Sequence, residues 1–292
     1  MLTKENFHAL LKNGPLFLDG ATGSNLQKMG MPRGCCTEKW ILENPKALTD
    51  LQKQYVQSGS HIIYAPTFQA QPIALQKVGL DDQTESINEH LVKLSRSVSD
   101  DVLVAGNLTT LATFTDSFDE ENFDLLVENY RRQIKGLLYG GADLLAAETL
   151  MYPTEAEAIL TAAELEGAET VIYTFTMQPD GSLFSGRDAA PVLQELEKAG
   201  AAAVGFNCVA ADSMTAGLVS RLKRFVKGPL VCKPNAGIPV IGEDGLPHYP
   251  MSPTEFAAIQ KDCYAMGAAI LGGCCGTNPD FIKSMKDEIK CL

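Results

Sequence analysis

The chain has one tryptophan, four histidines and no basic cluster: 24 Lys and Arg are outnumbered by 36 Asp and Glu, a net charge of −12. Such a surface does not follow a phosphate backbone, so nucleic acid and anionic membranes are poor partners and a small molecule is the better one. No run approaches the roughly eighteen apolar residues of a membrane span. The first fourteen residues are mostly polar, carry Lys4, Glu5 and Lys12, and lack the apolar centre of a secretory signal. A cytoplasmic location is therefore expected. Low-complexity segments and linkers are missing too. Eight cysteines in a chain without an export signal read as thiols or metal ligands, not as a disulfide framework.

At 292 residues and 45% apolar composition the chain can bury a large core, as one α/β barrel or two smaller domains. The pattern chooses between them. Eight β-rich runs occur, at 15–19, 61–66, 102–106, 143–148, 170–177, 203–208, 230–235 and 268–274. Each is followed by an amphipathic stretch, at 48–58, 84–99, 121–139, 154–166, 189–199, 213–226, 252–265 and 279–290. Ser252-Pro253-Thr254-Glu255 is a helix start, and Gly59 and Gly167 are helix stops. Strict βα alternation repeated eight times predicts an α/β fold, a single (β/α)8 TIM barrel over residues 1–292. The connections 20–47 and 236–251 are unusually long; both fall at the carboxyl ends of strands, where this fold keeps its sites, as lids or donor-docking surfaces.

Asp19, Glu148, Cys208, Asn235, Cys274 and Cys275 all fall at the ends of expected strands, so residues far apart in sequence gather at one mouth. Cys208, Cys274 and Cys275 could converge on one soft, tetrahedral ion such as zinc, leaving a fourth position open as in a catalytic site. Adjacent cysteines on a strand point to opposite faces, so both reach one ion only where the chain bends, and Gly272, Gly273 and Gly276 permit a bend. Two other readings stand beside this one: thiols that fill the core, and a vicinal or Cys208-linked disulfide. Cys35, Cys36, Cys232, Cys263 and Cys291 read as structural or surface thiols.

Six motifs in order carry a resemblance: Asp19-Gly20-Ala21-Thr22-Gly23-Ser24, Cys36-Thr37-Glu38-Lys39-Trp40, Ala147-Glu148-Thr149, Gly205-Phe206-Asn207-Cys208, Lys233-Pro234-Asn235-Ala236-Gly237 and Gly272-Gly273-Cys274-Cys275-Gly276-Thr277. Together they resemble the zinc-dependent homocysteine S-methyltransferase family across nearly the whole chain. The resemblance implies a barrel holding one zinc on Cys208, Cys274 and Cys275, with methionine as product. It assigns the substrate ammonium to Glu148. Asp19 would assist, backbone N–H groups of the loop from Gly20 through Ala21 and Thr22 would hold the carboxylate, and Asn235 would orient a cysteine or close the site. A zinc-bound homocysteine sulfur is a thiolate, and three anionic ligands keep it nucleophilic.

The chain departs from the family pattern at Ala65-Pro66-Thr67-Phe68, where relatives often have Thr-Asn-Thr-Phe, and at Thr22 and Ser24, where Met and Thr are commoner. The methyl donor is open among a methylated corrinoid, betaine and sulfonium compounds. None of His8, His61, His90 and His248 sits in an Asp-x-His-x-x-Gly corrinoid pattern, so a corrinoid would arrive on a partner protein. An aromatic box for a quaternary ammonium would draw on Trp40, Tyr64, Phe68 or Tyr249. Two further readings remain: a Schiff-base aldolase using Lys233, and a non-catalytic zinc and homocysteine module that serves another protein.

Overall fold

The computed structural model describes residues 1–113, 122–242 and 247–290. Cys291, the first residue of the expected helix 121–139 and part of the connection 236–251 lie outside the described residues. The strands are β1 (Leu16–Phe17), β2 (Ile62–Tyr64), β3 (Leu103–Thr109), β4 (Leu144–Leu150), β5 (Val171–Phe175), β6 (Ala203–Ala210), β7 (Leu230–Asn235), the short pair β8 (Val240–Ile241) and β9 (Pro247–His248), and β10 (Ala268–Leu271). Eight of them form one parallel sheet in the order β1-β10-β7-β6-β5-β4-β3-β2. A parallel bridge from Leu18 to Ile62 joins its two edges, and the His61 N–H donates to the Phe17 carbonyl at 2.7 Å. The result is the expected (β/α)8 barrel.

Alternation along the strands separates two cores. Leu16, Leu18, Ile62, Ala105, Leu144, Ala146, Ile172, Ala203, Val231 and Ile270 fill the barrel interior. Their neighbours, among them Phe17, Ile63, Val104, Leu145, Tyr173, Phe206 and Leu271, pack under the helices. Those helices lie near the expected stretches: Pro45–Ser58, Thr84–Arg96, Phe123–Tyr139, Pro153–Glu166, Ala189–Lys198, Thr215–Lys223, Pro253–Ala265 and Pro279–Ile289. Ser252 caps its helix reciprocally with Glu255, and Gly59 closes another in the left-handed region at φ 98°.

Among the described residues four α-helices have no counterpart in the sequence pattern, one of them the single turn Pro72–Leu75. Lys4–Leu10, capped by Thr3, buries Phe7 completely in the barrel's inner core. It sits at the amino ends of the strands, where the Leu2 N–H donates to the Asp143 carbonyl at 2.7 Å and the His8 ring bonds the Ala202 carbonyl at 2.6 Å. The connection 20–47, expected as a loop, contains Gly23–Lys28 and Thr37–Glu43. Each is under eight residues, too short for hydrophobic periodicity to show. The other long connection carries the β8 and β9 ribbon.

Candidate metal and substrate site

Polar residues continue the inward series at the carboxyl ends. Leu103 and Ala105 lead to Asn107, Leu144 and Ala146 to Glu148, Ala203 and Gly205 to Asn207, and Val231 to Lys233. All four polar residues are buried. They stand on the apolar layers, and Asn107, Glu148 and Lys233 line a cavity of about 290 Å³ whose walls also include Asp19, the Gly20–Ser24 loop, Glu38, Phe68 and the three cysteines.

Breaks in alternation aim the sulfurs. Since Asn207 faces inward, a regular strand would send Cys208 outward against the helices. Instead β6 runs on past Cys208, which adopts φ 58°, and the β6–β7 register shifts between Asn207 and Ala210. Cys208 was expected at the strand end; it lies on a bulge within the strand. The same device recurs in β4 at Thr149, φ 60°, where the register with β5 shifts between Ala147 and Leu150. Thr149 and Cys208 are the only left-handed non-glycine residues among the described ones. For β-branched Thr149 this conformation costs about 1–3 kcal/mol.

Asn207 joins the two bulges. Its Oδ1 accepts from the Thr149 N–H and its Nδ2 donates to Thr149 Oγ1, each at 2.7 Å. The same Nδ2 reaches Glu148 Oε2 at 3.4 Å and Cys274 Sγ at 3.8 Å. Asn207→Leu keeps the volume and removes all of these contacts. We expect a metal affinity about 10- to 100-fold weaker in the folded variant, read by competition with a chelating dye; unchanged affinity would show that the bulges hold themselves.

The Gly272–Gly276 segment corrects one expectation. Only Gly276 is left-handed, at φ 83°, with the Tyr249 ring against it. Gly272 and Gly273 are needed for close approach instead: a Cβ would stand 2.7 Å from Leu18 Cβ at the first and 2.4 Å from Thr277 Oγ1 at the second. The segment is anchored to β7, the Cys274 N–H donating to the Pro234 carbonyl at 2.7 Å and the Cys275 N–H to Asn235 Oδ1 at 3.0 Å. Asn235 thus stands behind Cys275 and is not part of the cavity wall. The Thr277 hydroxyl donates to the Cys274 carbonyl at 2.8 Å and accepts from the Ala21 N–H at 3.2 Å.

The Sγ atoms of Cys208, Cys274 and Cys275 all lie within 4.8 Å of one another, with Cys208 and Cys275 at 4.0 Å. Tetrahedral zinc with bonds of about 2.3 Å places its sulfur ligands about 3.8 Å apart, so the trio fits with little adjustment. The three are free thiols here, without a disulfide. Hydrogen bonds from Cys208 and Cys274 hold the Cys275 thiol well below its usual range, while those same contacts with Cys274 and Cys275 push Cys208 up. Metal binding would require the thiols to lose their protons. Cys35 and Cys36 do not join it: Cys35 donates to the Pro32 carbonyl at 3.0 Å and Cys36 to Glu38 Oε2 at 3.6 Å.

Two carboxylates line the inner cavity in different states. Glu148 is fully partnered: Oε1 accepts from Asn107 Nδ2 at 2.9 Å and Oε2 pairs with Lys233 Nζ at 3.0 Å. Asp19 Oδ2 accepts from the Tyr64 N–H at 2.8 Å, but its buried Oδ1 has no partner. Burial pushes the Asp19 carboxyl up to about 7. Glu38, also raised by burial, accepts from the Gln69 N–H at 2.8 Å. Burial lowers Lys233, yet Glu148 together with Cys274 and Asp19 outweighs it and holds the ammonium well above its ordinary value. It is thus a cation and no Schiff-base nucleophile. Its Nζ stands 4.9 Å from the Tyr64 ring centroid, so that aromatic face is taken. Of the expected aromatic box, Tyr64 and Phe68 line the cavity, Tyr249 stands at its edge against Gly276 and Cys275, and Trp40 does not line it.

Comparison with known proteins supplies the context. The family model for homocysteine S-methyltransferase matches residues 16–289. Methionine synthases from Mycobacterium leprae and Mycobacterium tuberculosis are 24% and 25% identical over 286 residues, 91% of this chain. The chain spans about a quarter of the length of these relatives, 24% of each. The metallated form of the homocysteine methyltransferase MmuM from Escherichia coli superposes with a TM-score of 0.82 at 25% identity, covering 96% of this chain and 99% of that one. Its oxidized form gives the same TM-score and identity, covering 96% and 98%.

Proposed function

The chain belongs to the homocysteine S-methyltransferase family, and from that premise we propose that it transfers a methyl group to the sulfur of homocysteine, giving methionine, on a zinc held by Cys208, Cys274 and Cys275. The observation that carries this reading is the three-sulfur cluster at the edge of a cavity with an acidic wall and a buried, unpartnered carboxylate oxygen. Zinc there would lower the substrate thiol's pKa and present its sulfur as a thiolate with net anionic character.

The protein's own groups do the rest. Cys208 is fixed by its bulge and Cys275 by Asn235, so the sulfurs need not reorganise when the substrate arrives. Asp19 and Glu148 give the inner cavity the negative character that suits an α-ammonium. Gly20, Ala21 and Thr22 also line the cavity, as candidates for the carboxylate. The Ala21 N–H already goes to Thr277, which leaves the remaining amides of that loop for the substrate.

Trp40 does not line the cavity and Tyr64 is occupied by Lys233, which leaves Phe68, and Tyr249 beside Cys275, as the aromatic faces for a quaternary ammonium donor such as betaine. The donor stays open among betaine, a sulfonium compound and a methylated corrinoid carried by a partner protein. The test is a donor screen on zinc-loaded protein with homocysteine, reading methionine for S-methylmethionine, S-adenosylmethionine, betaine and a methylcorrinoid protein. Methionine from at least one donor, and none after zinc is stripped, is expected. Silence with every donor would overturn the enzymatic reading in favour of a binding module.

A further inference from the structure

Tyr55, on the helix Pro45–Ser58, and Asn25 are buried and meet at the Gly20–Ser24 turn without lining the cavity. Both draw on the same carbonyl: the Tyr55 hydroxyl donates to the Ala21 oxygen at 2.7 Å, and Asn25 Nδ2 donates to it at 2.7 Å. The pair is itself joined, Asn25 Nδ2 reaching Tyr55 Oη at 3.2 Å and the Thr277 carbonyl at 2.9 Å. Burial holds the Tyr55 phenol well above its ordinary range, so it stays a donor. Gly20 lets the turn sit this close, since a Cβ there would stand 2.8 Å from Tyr55 Oη. A trans peptide unit is planar and its C=O and N–H point in opposite directions. With the Ala21 carbonyl turned to the buried pair, the Thr22 N–H of the same unit is turned the other way, and Thr22 lines the cavity. The Ala21 N–H is spent on Thr277 Oγ1 at 3.2 Å.

We propose that Tyr55 and Asn25 are positioning residues for substrate recognition: they lock the Ala21–Thr22 peptide so that the Thr22 N–H faces the cavity and donates to the carboxylate of the thiol substrate. This rests on the homocysteine reading and deepens it. A peptide free to flip would present its carbonyl oxygen to the carboxylate in a share of the molecules, and binding would have to reverse it. Two donors on one buried carbonyl remove that cost before the substrate arrives.

Isothermal titration of zinc-loaded protein with homocysteine and with 3-mercaptopropylamine, its analogue without the carboxylate, tests the assignment. A hydrogen bond to a charged group discriminates about 10- to 100-fold, and wild type should prefer homocysteine by that factor. Tyr55→Phe keeps the ring and removes one donor to the Ala21 carbonyl; adding Asn25→Leu removes the other. The preference should shrink about three- to tenfold in the single variant and vanish in the double one, through weaker homocysteine binding alone. The analogue should bind both variants within about threefold of wild type. Where the double variant does not fold, the ratio in the single variant decides. A preference that survives these substitutions, or that wild type lacks, would take the carboxylate away from this peptide and overturn the proposal. Equal weakening of both thiols would make the pair merely structural and overturn it as well. Wild-type protein that binds neither thiol would instead sink the homocysteine reading itself.

Discussion

Cys208→Ala should leave a folded barrel with less than about a tenth of an equivalent of zinc and methyl transfer reduced on the order of 1,000-fold. The loss is this large because two thiols cannot replace three. Cys274 and Cys275 come from one short segment, and Cys208 is the third sulfur of the cluster, contributed by β6. Alanine tolerates φ 58° no better and no worse than cysteine, so the substitution removes a ligand without relieving or adding backbone strain. Metal analysis and a thermal melt of the zinc-free variant separate the two effects. Stoichiometric zinc in Cys208→Ala would show that the ligand set is wrong. A melt collapsed in both zinc-free forms would place the cost in folding.

Lys233→Met should lower the unfolding free energy of the zinc-free protein by about 3–5 kcal/mol, the usual cost of leaving a buried charge without its partner. Burial and the 3.0 Å contact with Glu148 put this pair in the class where the remaining charge is the problem. Removing both charges, with Glu148→Gln added, should recover most of the loss. Urea denaturation followed by circular dichroism reads the difference. A lysine raised in the folded state contributes stability that is complete below its unfolded value near 10 and lost only as pH climbs through the folded one. The gap between wild type and variant should therefore persist from roughly pH 7 to pH 9. A deficit under about 1 kcal/mol would mean that water reaches the pair.

Much of this molecule was readable from its residues, for reasons that also explain the gaps. The barrel was legible because parallel strands buried on both faces are short apolar runs and their helices carry caps such as Ser252 with Glu255. The sulfur trio was legible because paired cysteines among glycines at a strand end have little use in a core. Asn107 and Asn207 were missed: an Asn at the end of an apolar run reads as turn chemistry. Counting by twos from Ala105 and Ala203 would have placed both inside the barrel beside Glu148. Lys233 was visible as a residue, but its role was not, since pairing with Glu148 across 85 positions is a product of the closed ring. The bulges at Thr149 and Cys208 left no trace, because neither residue type favours the left-handed region.

The Thr277 hydroxyl ties together the backbone of two cavity-lining loops, through Cys274 in the cysteine segment and Ala21 in the Gly20–Ser24 turn. An engineer wishing to reshape the cavity would have to exchange the two loops together. A graft of the Gly20–Ser24 turn from a relative must bring along the segment that ends in Thr277, or the new turn will tug the ligand sulfurs out of register.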